Sequence, residues 1–358
     1  MKDRTALIIM SSLMPGGAER VSLALAEYLT RRGWDVHLFV AAINRSAPRL
    51  YEVPPGVGLH YARRGTESGA TRPLVNGLLL KKIIRELDPT WVISLGSQYR
   101  LLDLCGVFGR RRVLLSERNY PAEFYKTQKA MDEVTDYYRR ADKVVFQTEA
   151  AAVCFPDLDP RKVAVIPNAV PPQDERWRGA QGKGISFAGR LDTQKNPEML
   201  LRSFALFSDA RPGYRLDVYG DGPMRGRLES LAEELGVGQS VFFHGKVADV
   251  AARLSGSLMY VSTSDYEGIS NSMLEAMGMG MPCICTDCAG GGARLAIDDG
   301  ESGLLVPRGD EAAMARAMGR VADDPVFAAH LSWGAMETAS KFAPEGIYGR
   351  WAELLEEV

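Results

Sequence analysis

The chain has 358 residues, 46% of them hydrophobic and 25% charged. That is enough apolar material for two cores, so a fibrous, disordered or disulfide-stapled chain is excluded. Net charge is −2, no nucleic-acid motif accompanies it, and no apolar run approaches the roughly 18 residues of a spanning helix.

In chain order, Leu7–Met10 reads as a buried strand, too short for a secretory signal, so a cytoplasmic location is expected. Ala18–Arg31 reads as a helix with Val21, Leu23, Leu25 and Leu29 as its apolar positions and Gly33 as its stop. Val36–Val40 is the next strand. Leu78–Leu87 is a helix with Pro89 beyond it, and Trp91–Ser94 a strand. Val113–Ser116 and Lys143–Gln147 are further short apolar runs. Strands alternating with helices predict a parallel sheet covered on both faces. Pro167, Pro171 and Pro172 mark a boundary, which divides the chain into 1–170 and 171–341, with 342–358 as a terminal helix. The pattern restarts with strand Ile185–Gly189, helix Pro197–Phe207 and strand Arg215–Tyr219. Helix Leu228–Leu235 and strands at Val241–Phe243, Leu258–Val261 and Cys283–Thr286 follow. The expected fold is α/β, two doubly wound Rossmann-like domains with a cleft between them, and ligands bind such sheets at the carboxyl ends of strands.

The five cysteines, Cys105, Cys154, Cys283, Cys285 and Cys288, are odd in number and lack a framework spacing, which fits reduced thiols. Cys283, Cys285 and Cys288 have no second Cys or His pair nearby, so a buried strand is a better reading than a metal site. Residues 1–170 carry 25 Lys and Arg against 18 Asp and Glu; residues 171–358 carry 18 against 27. The first part includes clusters at Arg63-Arg64, Lys81-Lys82-Arg85, Arg110-Arg111-Arg112, Lys126 with Lys129, and Arg139-Arg140. Such a face suits an anionic membrane surface better than nucleic acid, unless the charges simply solvate the domain.

Three segments carry chemistry. Met14-Pro15-Gly16-Gly17-Ala18-Glu19-Arg20 joins the first strand to the first helix. Its glycines let backbone come close to a ligand, and the helix N-terminus favours an anion. The spacing is neither the dinucleotide fingerprint nor a phosphate loop ending in Gly-Lys-Ser/Thr. The second segment, Gly189-Arg190-Leu191-Asp192-Thr193-Gln194-Lys195-Asn196, places two cations after a strand, suited to holding a diphosphate. In the third, Glu267 and Gly268 lie in a loop, and Ser270 or Asn271 caps a helix running to about Met279. Glu275 sits two turns into that helix among Leu274, Ala276 and Met277, where a carboxylate needs a partner or a ligand.

Tyr266-Glu267-Gly268-Ile269-Ser270-Asn271-Ser272-Met273-Leu274-Glu275-Ala276 closely resembles the Glu-x7-Glu region of retaining family-4 glycosyltransferases of the GT-B fold. The loops at 16–20 and 189–196, Phe242–Val247 and Ser302–Pro307 match the same family in order, so the resemblance spans essentially the whole chain. It implies that Gly16 and Gly17 contact donor phosphate or the reacting centre. It implies that Gly189, Arg190 and Lys195 hold the diphosphate and that Glu267 binds donor-sugar hydroxyls. Glu275 would bind ribose, Gly268, Ile269, Ser270, Asn271 and Ser272 would support the distal phosphate, Val247 would read the base, and His244 would lie near the donor. Arg190, Lys195 and Glu267 are thus the expected catalytic residues. The resemblance further implies no cofactor and no metal, which agrees with the lack of an Asp-x-Asp motif. A nucleotide-sugar donor is expected, UDP rather than GDP, with a lipid-linked or polysaccharide acceptor and peripheral contact at the inner face of the membrane.

One departure stands out. Many relatives carry a histidine where this chain reads Ser116-Glu117-Arg118-Asn119. That form resembles members that build polysaccharides or lipid-linked oligosaccharides. Glu19, Glu117, Arg118 and Asn119 are therefore expected in the sugar or acceptor pocket. The competing readings are a sugar-nucleotide epimerase or phosphorylase on a similar fold, and an inactive sugar-nucleotide-binding protein. The presence of Arg190, Lys195, Glu267 and Glu275 weighs against both.

Overall fold

The computed structural model describes residues 4–14, 16–41, 51–62, 72–96, 98–247 and 249–357. Pro15, Arg63 and Arg64 lie outside the described residues. The chain divides into two compact units, residues 1–167 with 347–358, and residues 168–346.

The first unit alternates strand and helix: β1 (Thr5–Met10), α1 (Gly17–Arg31), β2 (Asp35–Val40), β3 (Gly58–Tyr61), α2 (Arg72–Leu87) and β4 (Trp91–Leu95). It continues with α3 (Tyr99–Cys105), β5 (Arg112–Ser116), α4 (Pro121–Phe124), α5 (Gln128–Arg140), β6 (Lys143–Phe146), α6 (Glu149–Val153) and β7 (Val163–Val165). The strands form one parallel sheet in the order β3-β2-β1-β4-β5-β6-β7. Every residue of β1 and β4 is buried, as expected of central strands covered on both faces. The edge strands β3 and β7 are only half-buried; β3 reads Gly-Leu-His-Tyr with no continuous apolar run, and β7 is only the three residues Val163-Ala164-Val165. They escape a reading based on hydrophobic runs for that reason.

The second unit runs β8 (Gly184–Ala188), α7 (Pro197–Ala210), β9 (Arg215–Tyr219), α8 (Arg225–Glu234), β10 (Val241–Gly245), α9 (Val250–Leu254) and β11 (Met259–Ser262). It ends with α10 (Asn271–Gly278), β12 (Cys283–Asp287), α11 (Gly292–Ala296), β13 (Leu304–Pro307), α12 (Glu311–Asp323) and α13 (Pro325–Ser340). Its sheet has the order β10-β9-β8-β11-β12-β13, with parallel pairing throughout. Cys283 and Cys285 are buried on β12 as free thiols.

The last helix, α14 (Pro344–Glu356), packs with the first unit through residues from Ile347 onward. Trp351 is buried. The indole of Trp91 donates to the Leu355 carbonyl at 2.8 Å. Tyr28 and Tyr348 bring their rings to 5.9 Å. Arg4 pairs with Glu356 at 3.2 Å. A C-terminal helix thus completes the core of the unit that holds the N-terminus.

Among the described residues, no helix is long and apolar enough to cross a membrane.

Candidate functional site

In each sheet one strand starts the count and its successors add to either side. For the second unit that switch falls between β8 and β11, which pair at Met259 with Ile185 and Tyr260 with Ser186. Loops leaving two adjacent strands at such a point diverge and leave a crevice at the carboxyl edge. These two loops are the segments 189–196 and 263–270.

Hydrogen bonds join them. The Thr263 hydroxyl donates to the carbonyls of Lys195 at 3.0 Å and Asn196 at 2.9 Å. The Asp265 amide donates to Gln194 at 2.8 Å. The Gln194 side chain donates to the Tyr266 carbonyl at 3.2 Å, and Asn196 donates to Asp265 at 3.0 Å. Asn196 sits in the left-handed region at φ 43°, and its side chain accepts from Met199 to cap α7. Local strain and a cap together fix where the loop ends and the helix begins.

This framework presents Lys195 against Glu267. The Lys195 ammonium donates to Glu267 Oε2, and the Ser264 hydroxyl donates to the same oxygen at 3.3 Å. Both side chains are mostly buried. Arg190 behaves differently. Its guanidinium is 70% exposed and is held by Asp192 at 3.2 Å and Gln194 at 3.1 Å. It remains open to a ligand arriving from solvent.

The first turn of α10 follows in the same loop. Ser270 is the N-cap and accepts from the Met273 amide at 3.4 Å. Ser272 donates to the Ala188 carbonyl at 2.9 Å and bonds the Tyr260 hydroxyl at 2.8 Å, which ties α10 to the end of β8. Asn168 donates to Asn271 at 2.6 Å and to the Ile269 carbonyl at 3.2 Å. Glu275 is buried on this helix. A Cβ on Gly292 would lie 1.7 Å from the Gly268 carbonyl oxygen. Only glycine lets α11 come this close to the loop after Glu267. The sequence reading passed over Gly292, although the run Gly290-Gly291-Gly292 was a signal for close backbone approach.

Two glycines serve Gly189 and Arg190 in the same way. Gly220, at φ 131°, would put a Cβ 1.8 Å from the Gly189 carbonyl, and Gly222 would meet the Leu191 backbone. His244 gives its Nε2 to Asp217 at 2.8 Å, and its ring stacks on Tyr219 at 4.6 Å. Val247, just past β10, is half-buried.

The remaining expected residues belong to the first unit. Gly16 is the N-cap of α1 and has no side chain to cap with. Glu19, in the first turn, folds back so that a Cβ on Gly16 would lie 2.1 Å from its Oε2. Burial raises the Glu19 carboxyl above its ordinary range, and a hydrogen bond from its own backbone pulls the other way. Gly17 is exposed.

Glu117 turns inward. It is 1% exposed and accepts four hydrogen bonds. They come from the amides of Arg118 at 2.8 Å and Asn119 at 3.0 Å, and from the hydroxyls of Tyr125 at 2.7 Å and Tyr138 at 2.8 Å. Burial raises its carboxyl and the four donors pull the other way. Glu117 thereby holds the shape of the loop from which Arg118 and Asn119 project. Arg118 donates to the Ser116 hydroxyl at 3.2 Å, and burial lowers its guanidinium to about 10, so it keeps its charge at neutral pH. Gly96, at φ 82°, gives Arg118 room, since a Cβ there would meet its Cγ at 2.9 Å.

Comparison with known proteins decides the family. The profile described as glycosyltransferase family 4 matches residues 15–174, and that of glycosyl transferases group 1 matches residues 182–324. The chain belongs to the family-4 glycosyltransferases. The first relative is an exopolysaccharide phosphotransferase from Streptomyces coelicolor, 32% identical over 55% of this chain and 21% of its own. Another is a Campylobacter jejuni N-acetylgalactosaminyltransferase named for an undecaprenol-diphosphate-linked substrate, 31% identical over 49% of this chain and 48% of its own. The chain thus spans less than half the length of either relative. In fold, this glycosyltransferase superposes on Anabaena HepE, crystallised with UDP-glucose, with a TM-score of 0.82 and 18% identity over 99% of this chain and 100% of the other. Its two Rossmann-type units are those of a GT-B glycosyltransferase.

Proposed function

We propose that this chain transfers a hexose or N-acetylhexosamine from a UDP-sugar to a polyprenyl-diphosphate-linked glycan, with retention at the anomeric carbon. The Lys195–Glu267 contact at the switch point of the second sheet carries this reading. Family membership and the UDP-glucose complex of HepE support the donor class. The name of the Campylobacter relative supports the acceptor class.

The chemistry follows from charge. The bond from the anomeric carbon to the diphosphate breaks while the acceptor oxygen bonds that carbon on the same face. The acceptor's proton passes to the departing phosphate oxygen. Negative charge grows on the diphosphate, so cations and helix N–H groups aimed there lower the barrier. Lys195, Arg190 and the first-turn amides of α10 are the groups for that task. Glu267 takes sugar hydroxyls and Glu275 takes ribose. The acceptor would meet the first unit, where Arg118 is a fixed positive charge. Lys81, Lys82 and Arg85 on α2 would favour peripheral contact with an anionic leaflet.

On this reading the cations of the site replace a metal. Release of UDP from a panel of UDP-sugars, in the presence of undecaprenyl-diphosphate-linked glycan, is expected to continue unchanged in EDTA. Complete loss that Mg²⁺ or Mn²⁺ restores would assign charge neutralisation to a metal instead. Turnover of GDP-sugars alone would overturn the choice of nucleotide.

A further inference from the structure

The first unit contains a cavity of about 940 Å³ that the donor chemistry does not use. Its lining begins at Ala41 after β2, at Gln98 and Tyr99 after β4, and at Tyr125 beyond β5. It therefore lies along the carboxyl edge of the sheet, where open α/β folds take ligands. Its volume falls within the range of roughly 300–1,000 Å³ typical of small-molecule sites.

The tyrosines look polar in sequence but not in place. Tyr99 donates its hydroxyl to the Ser116 carbonyl at 3.0 Å, and Tyr125 donates to Glu117. Both hydroxyls are held in the buried network, which leaves ring carbon to line the cavity. Leu101, Ala130 and Val134 continue the apolar wall. The charges at the rim close on each other: Arg100 pairs with Glu133 at 3.3 Å, and Asp103 with Arg140. The cavity thus offers no net charge to an anion, and an uncharged apolar group fits it best.

The apolar lining also reaches the surface. Leu104 lines the cavity and is 49% exposed. Leu104 packs against Gly77 of α2, and the residue after that glycine, Leu78, is 70% exposed. Lys81, Lys82 and Arg85 lie three, four and seven residues further along α2 at exposed positions; Lys82 pairs with Glu86 at 3.6 Å, and Lys81 and Arg85 carry the rest of the positive charge. An apolar chain leaving the cavity would pass over two leucines onto a cationic stripe, as a lipid leaving an anionic surface requires.

We infer that this cavity receives the first isoprenoid units of a lipid-linked acceptor. The inference rests on the lipid-linked reading above. It is tested by calorimetric titration of the full chain with farnesyl phosphate, with the shorter citronellyl phosphate, and with inorganic phosphate. Farnesyl phosphate is expected to bind at least tenfold more tightly than citronellyl phosphate, because an added isoprene unit is buried, and inorganic phosphate not measurably. Ala130→Trp, which fills the wall, is expected to weaken farnesyl phosphate at least tenfold while UDP binding is unchanged. Leu104→Arg, at the exposed mouth, is a second variant that leaves the core intact and is expected to weaken it at least threefold. Equal affinity for the two prenyl phosphates, or wild-type affinity in Leu104→Arg, would overturn the inference. UDP titration of the same samples reports the donor site separately. Normal UDP binding without prenyl binding sinks only the cavity assignment, whereas loss of both questions the functional reading.

Discussion

Lys195→Ala is expected to lower turnover by about 10²–10³-fold, the loss seen when one preorganised donor to a developing anion is removed. Lys195 is a mostly buried cation held on several sides. Its ammonium is fixed by Glu267, its backbone carbonyl by Thr263, and its loop by the bonds from Asp265 and Gln194. No reorganisation is needed when charge appears on a leaving diphosphate. The fall should appear mainly in kcat. Binding of the ground-state donor should weaken less, because charge on the diphosphate grows only as the bond breaks. Arg190→Ala should act in the same direction, from a side chain that is exposed and held by Asp192 and Gln194. Near-normal kcat in Lys195→Ala, with an unchanged melting temperature, would remove Lys195 from the reaction.

Glu117→Ala is expected to destabilise the first unit by about 2–4 kcal/mol, read from urea denaturation. The substitution leaves two buried tyrosine hydroxyls and two amides without their acceptor, and each orphaned group costs about 1–3 kcal/mol, partly recovered by relaxation. Tyr138 retains a 3.3 Å contact with Tyr99, which limits the loss. Glu117→Gln keeps an acceptor and should cost less. If Glu117→Ala melts like the wild type, the carboxylate does not hold this loop.

These two residues show what a sequence can and cannot disclose. The placement of Lys195 and Glu267 in loops that leave strands was legible, because strand, loop, cap and helix are neighbours in sequence. That Ser270 or Asn271 caps α10 was legible for the same reason, and Ser270 is the one that does. The inward turn of Glu117 was not, because its partners are 8 and 21 residues away on other elements. Tyr138 lies on α5, a helix that buries little beyond Val134, Tyr137 and Tyr138 and so shows only a sparse apolar stripe. Likewise nothing local tells that Asp217 takes the Nε2 of His244, since they sit on neighbouring strands 27 residues apart. The start of α2 was read six residues late, because Arg72 and Asn76 interrupt the apolar pattern that resumes at Leu78.

Hydrogen–deuterium exchange on the full chain, with and without saturating UDP, tests most directly whether the loops after β8 and β11 hold the donor. Slowed exchange is predicted at residues 189–196 and 264–275, and Lys195→Ala is expected to keep the response at saturating UDP while needing more UDP to reach it. Unchanged exchange in both segments at saturating UDP and GDP would contradict a donor site on these loops.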